Sequence, residues 1–153
     1  MKRTVLGLVL LLLATLCLAC GTADSFNNAK TIGENIRTMM NIQDVAVALE
    51  KYRAEHGTYP SSESMSSLRT VLGSVSPEAT IDRWGEPLLV AVTPESYTIS
   101  SKGKDRTGDH EFNGGVTTPG HSITLRDGRF VQYYAKVEKT AAKIEQEIAA
   151  ARK

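Results

Sequence analysis

The spacing of apolar positions changes along the chain, and each change marks an element. Val5 to Leu16 is an almost unbroken apolar run behind Lys2 and Arg3. Gly21 to Asn28 is small and polar, so a tether is expected over 20–30. Ile32, Ile36, Met39, Ile42, Val45, Leu49 and Tyr52 then step by three or four residues, which places them on one face of a long helix. Thr31 with Glu34 fits a capping box at its start, with Ser25 and Asn27 as earlier alternatives. Gly57 after His56 ends it, because glycine adopts the left-handed stop without steric cost.

Thr58-Tyr59-Pro60 reads as an extended exit, and Ser61 to Leu72 as a shorter helix with Met65, Leu68 and Leu72 inward and Gly73 as its stop. Gly73 to Glu78 is expected as loop. From Pro87 the period becomes two: strands over 88–92 and 97–101 flank a turn at Thr93-Pro94-Glu95-Ser96. Residues 102–121 are polar and glycine-rich with no apolar period. Ser122 to Tyr133 then forms a hairpin about Asp127-Gly128, a pair suited to positive φ, with Leu125 opposite Phe130 and Thr124 opposite Val131. In the last segment, 134–153, Val137, Ala141, Ile144, Ile148 and Ala151 make a narrow helical stripe, thin enough to predict loose docking or pairing with a partner. The expected fold class is α+β: a long N-terminal helix on a small antiparallel sheet, with an added C-terminal helix.

Of the 153 residues, 41% are apolar, with 18 basic and 17 acidic side chains. A chain of this length forms one modest domain with a real core. The near-neutral balance argues against nucleic acid, which asks for clustered positive charge. The leader, 1–19, has the layout of an export signal, and its apolar run is shorter than the ~20 residues of a comfortable membrane span. The two cysteines, Cys17 and Cys20, form Cys-x-x-Cys, a weak redox signal inside an apolar leader. Leu16-Cys17-Leu18-Ala19-Cys20 instead resembles a bacterial lipoprotein signal, which implies cleavage after Ala19 and a lipid on Cys20. Cleavage after Ala23 and retention as an anchor are the alternatives. Export implies a periplasmic location, at the membrane if the lipid is added.

Three phrases resemble the major pseudopilin family of type II secretion. The first closes the long helix: Leu49-Glu50-Lys51-Tyr52-Arg53-Ala54-Glu55-His56-Gly57-Thr58-Tyr59-Pro60. The second is Asp82-Arg83-Trp84-Gly85-Glu86-Pro87-Leu88, similar to the family's turn into its sheet. The third is Tyr97-Thr98-Ile99-Ser100-Ser101-Lys102-Gly103-Lys104-Asp105, similar to a strand running into a Ser-x-Gly-x-Asp loop. The resemblance covers roughly 35–131 and implies a pilin-like globular domain over 31–133. It also implies a structural rather than catalytic role and partners among secretion or other envelope proteins. Within these phrases Gly57, Tyr59, Pro60, Asp82, Trp84, Gly85 and Pro87 are the structural positions, and Trp84 is expected as a core anchor over the sheet edge. The family's peptidase site and apolar helix half are not matched, so a stand-alone periplasmic binding or adaptor lipoprotein is the competing reading.

The 102–121 loop is the candidate metal site. Asp105, Asp109, Glu111 and Asn113 gather hard oxygens, and Gly108, Gly114 and Gly115 let the backbone wrap, as calcium coordination requires. The resemblance also implies calcium here, although His121-Ser122 stand where the family carries paired aspartates and Lys102, Lys104 and Arg106 oppose a cation. A solvated loop is the equal alternative. Ser101-x-x-Lys104 and Arg106-Thr107-Gly108 resemble the boxes of penicillin-binding enzymes only in letters, since both fall in one loop. The spacing of His56, His110 and His121 matches no zinc pattern. No enzyme activity is expected.

Overall fold

The computed structural model of the chain describes residues 2–62, 64–104, 106, 115–117 and 122–152, with side chains for all of these except 2–24 and 115–117. The elements, in chain order, are helix α1 (Lys2–His56), helix α2 (Met65–Leu72), a 3-10 turn (Pro77–Thr80) and strands β1 (Leu89–Val92), β2 (Tyr97–Ser101), β3 (Gly115–Thr117), β4 (Ile123–Arg126) and β5 (Arg129–Tyr134). A second 3-10 turn (Ala135–Val137) leads into helix α3 (Glu138–Ala150). Contacts divide the chain into two compact units, Met1–Thr31 and Ile32–Lys153.

The first unit is helical throughout its described residues. The tether expected over 20–30 is therefore helix, and Thr31 starts nothing. Its hydroxyl donates to the Asn27 carbonyl at 2.9 Å, the i−4 bond of a residue inside a helix. Apart from Gly33, no glycine or proline lies between Gly21 and Gly57 to interrupt the backbone, and small polar residues alone are too weak a break. Among the residues with described side chains, no helix is long and apolar enough to cross a membrane.

In the second unit the α1 face read from sequence is the buried one. Met39, Ile42, Val45 and Leu49 are fully enclosed, and Ile32 and Ile36 are partly buried against the same core. Gly57 stops the helix at φ 82°, its amide closing on the Arg53 carbonyl at 2.8 Å. The second helix begins later than its apolar pattern suggests. Ser62 exchanges two backbone bonds with Val92 (3.0 and 2.8 Å), which holds the chain extended until Ser64 caps the Ser67 amide. Gly73, at φ 63°, ends α2 as expected. Part of the expected loop after it is the 3-10 turn, capped by Ser76.

The sheet order is β1-β2-β4-β5-β3. The first four strands are antiparallel, and Val90, Val92, Tyr97, Ile99, Ile123 and Leu125 alternate into the core. Thr98, Ser100 and Thr124 lie on the other, more polar face, which is the pattern of a sheet covered on one side. The short β3 pairs parallel to β5 inside the segment read as structureless. Three residues are too few for a period to show.

The β4–β5 hairpin corrects one pairing. Leu125 faces Phe130 as expected, but Thr124 faces Gln132 across a bulge, not Val131. A regular ladder would put Gln132 opposite the core residue Ile123; one extra residue moves the amide to the polar face. The turn has positive φ at Asp127 (48°) and Gly128 (80°). The last helix docks firmly, with Val137, Ala141, Ile144 and Ile148 buried in the same core and α3 in contact with β5. Loose docking is thus overturned: Glu145 also accepts from the Phe130 amide at 2.7 Å.

The turn is also roofed by the end of α3. A Cβ on Gly128 would lie 2.6 Å from Arg152 Nη2 and 3.2 Å from Ile148 Cγ2. Gly128→Ala is expected to displace Arg152 and to cost about 1–2 kcal/mol, the usual penalty for a left-handed L-residue. A urea midpoint unchanged from wild type would contradict this.

Candidate functional site

Two hydrogen-bonded clusters organise the second unit, and each is centred on a buried carboxylate. Glu50 lies on the core side of α1, one residue past Leu49, and is 1% exposed. Burying a carboxylate is costly unless every lone pair finds a donor. Here Oε1 accepts from Tyr97 Oη and from Arg152 Nη2, both at 2.9 Å, and Oε2 accepts from Tyr59 Oη at 3.1 Å. Tyr59 in turn accepts from Arg53 Nη1 at 3.1 Å, and the Arg53 guanidinium lies 4.9 Å from the centre of its ring. The two phenol rings meet edge to face at 5.1 Å. Arg152 also donates to the Asp127 carbonyl at 2.6 Å, so it ties the hairpin turn to α1.

Both phenols are held above their ordinary range, first by burial and, for Tyr97, next by the negative charge of Glu50. The folded state therefore keeps two protons that the unfolded chain releases near pH 10. Stability is full below that pH and falls as pH rises above it, with a slope of about 1.4 kcal/mol per unit for each tyrosine. Of the five tyrosines, Tyr59 and Tyr97 are expected to ionise only as the protein unfolds. Spectrophotometric titration at alkaline pH checks this; five phenols titrating together in the folded protein would refute it.

The second cluster is built on Asp82, buried at the entry to the sheet. Oδ1 accepts from the Trp84 and Glu86 amides, each at 2.9 Å, and Oδ2 accepts from Ser101 Oγ at 2.6 Å. Ser101 Oγ accepts in turn from the Gly103 amide at 3.0 Å. The turn closes through Asp82 N to the Glu86 carbonyl at 2.7 Å, with Gly85 at φ 85°. Pro87 then bridges Ile81 and leads into β1. Trp84 is not the expected core anchor. It is half-buried and outside the core cluster, and its Nε1 is buried with no hydrogen-bond partner among the described residues.

Of the residues singled out from sequence, Gly57, Tyr59, Pro60, Asp82, Trp84, Gly85 and Pro87 thus fall in or beside these two clusters. Asp105, Asp109, Glu111 and Asn113 lie outside the described residues, and so does the side chain of Cys20. On the loop's described flank, Arg106 pairs with Glu86 at 3.2 Å. Among the described residues no group of three or more His, Cys, Asp or Glu side chains is placed to hold a metal. Sequence reasoning missed the roles of Glu50 and Arg152. An acidic residue four positions after the core residue Ala46 was the available signal for the first; nothing marks the second, 102 positions away.

No protein-family model matches the chain, and no curated protein or solved structure is significantly similar to it.

Proposed function

We propose that this chain is an exported, non-catalytic structural or interaction protein of the cell envelope, built on a pseudopilin-like domain and held at the membrane by a lipid on Cys20. One observation carries the reading: the three phrases that resemble pseudopilins bond to one another. Glu50 of the first accepts from Tyr97 of the third, whose ring also meets Tyr59 of the first, and Asp82 of the second accepts from Ser101 of the third. The positions quoted for the resemblance thus share one bonded framework, which supports the reading. The coarse architecture, a long helix with a four-strand antiparallel sheet, supports the same reading.

The non-catalytic part rests on what the polar groups do. Ser101 is buried, with its hydroxyl bonded to Asp82 and the Gly103 amide. His56 stacks on Tyr52 with ring centres 4.0 Å apart, and its Nδ1 is 2.9 Å from the Tyr52 carbonyl. Both side chains serve the fold. The proposed partners are components of type II protein secretion or other envelope proteins, on the periplasmic side of the membrane. Calcium is the one cofactor proposed, for the 102–121 loop, on the strength of the resemblance and the loop's oxygen-rich composition.

Metabolic labelling with a fatty acid tests the anchor: label in wild type that disappears in Cys20→Ala supports it, and label in neither refutes it. Crosslinking in secreting cells tests the partners, with recovery of secretion components the expected result. Melting in calcium against chelator tests the loop, and bound calcium should raise the transition by mass action.

A further inference from the structure

Arg53, at the end of α1, and Arg152, just past α3, line one open cavity of about 380 Å³, together with Glu50, Ala54 and Gly57. Each guanidinium is held through one terminal nitrogen. Arg53 Nη1 is bonded to Tyr59, and Arg152 Nη2 is bonded to Glu50 and to the Asp127 carbonyl. Among the described residues, Nε and Nη2 of Arg53 and Nε and Nη1 of Arg152 have no acceptor. The Nε–Nη2 edge of Arg53 is one that a carboxylate or phosphate takes in a forked arrangement, while Nε and Nη1 of Arg152 lie on different edges and offer single donors.

The charges balance in favour of an anion. Among the described residues Glu50 is the one carboxylate in the lining, and its two oxygens are filled by the tyrosine hydroxyls and Arg152. It offsets one guanidinium, so the lining keeps a net single positive charge. The negative end of α1 also lies here, but the Gly57 amide closes on the Arg53 carbonyl and so reduces the exposed partial charge. Among the described residues neither arginine pairs with a further acid. Both are already oriented by their bonds, so a ligand would immobilise little additional side chain.

We propose that this cavity is a binding site for an oxyanion, a carboxylate or phosphate group held between Arg53 and Arg152. The chemistry is shared by a free ion and by the terminal carboxylate of a peptide, and the cavity accepts either source.

The test is a titration of the full chain with sodium acetate and inorganic phosphate at constant ionic strength, followed by the arginine Nε–H resonances. Saturable shifts of both Arg53 and Arg152 are expected. Arg53→Gln keeps an amide donor for Tyr59 and removes the charge, and it should raise the half-saturation concentration about tenfold, the value of one charged hydrogen bond. Arg53→Lys keeps the charge without the fork and should fall between the two, which preserves the test if the glutamine variant folds poorly. Capped peptides with free and amidated C termini identify the source. A free terminus that outcompetes acetate assigns a peptide, and equal binding assigns a free ion. Absent or unsaturable shifts, or the same half-saturation in Arg53→Gln or Arg53→Lys as in wild type, would overturn the proposal.

Discussion

Glu50→Ala should be the most damaging substitution in its cluster of carboxylate, phenols and arginines, lowering stability by about 2–5 kcal/mol. The change leaves the hydroxyls of Tyr59 and Tyr97 without an acceptor in a buried site. Each such orphan costs about 1–3 kcal/mol. Arg152 is 43% exposed and can turn to water once released, but its partner Glu50 is 1% exposed and cannot, so Arg152→Ala leaves a buried carboxylate without its counter-charge. The order of variants is therefore fixed: Glu50→Ala is worst, Arg152→Ala intermediate, and Glu50→Gln mildest, since it keeps one acceptor oxygen and leaves no buried charge. Urea unfolding at constant slope gives the three differences directly. If Arg152→Ala proved as costly as Glu50→Ala, the ion pair and not the tyrosines would be the source of the stability.

Asp82→Ala is expected to cost about 2–4 kcal/mol, and Asp82→Asn about half as much. Alanine removes the acceptor for two amides and a buried serine hydroxyl at once. Asparagine keeps the oxygen that the Trp84 and Glu86 amides need, but its amide nitrogen cannot accept from Ser101, whose oxygen already takes the Gly103 amide. Ser101→Ala, which removes only that last link, should resemble the asparagine variant. Thermal melts of the three variants read the order, and an Asp82→Asn protein as unstable as Asp82→Ala would sink the assignment of the two oxygens.

Several elements were legible because burial alone decides them. The α1 stripe from Met39 to Leu49, both hairpins and the Leu125–Phe130 pair follow from periods of 3.6 and 2 and from Asp127-Gly128. The start of α1 was not legible, because a polar stretch without proline or a run of glycines carries no stop. The bulge at Thr124 was hidden for a different reason: it depends on which face Gln132 must avoid, a question that arises only once the partner strand is in place. Of the two clusters, the Asp82 turn was announced by Trp84-Gly85 and Pro87, residues that restrict backbone locally. The Glu50 cluster joins the end of one helix to the end of another through Arg152, and such a bond leaves no trace in neighbouring letters. The calcium residues Asp105, Asp109, Glu111 and Asn113 lie outside the described residues, so the sequence remains their only basis.

The chain's single tryptophan sits on the Asp82–Pro87 turn and not in the core. Indole emission from this protein therefore watches one corner, not the whole molecule. A heating curve recorded by emission should run ahead of one recorded by far-ultraviolet ellipticity if that corner loosens first. The gap between the two would measure how independently the entry to the sheet opens.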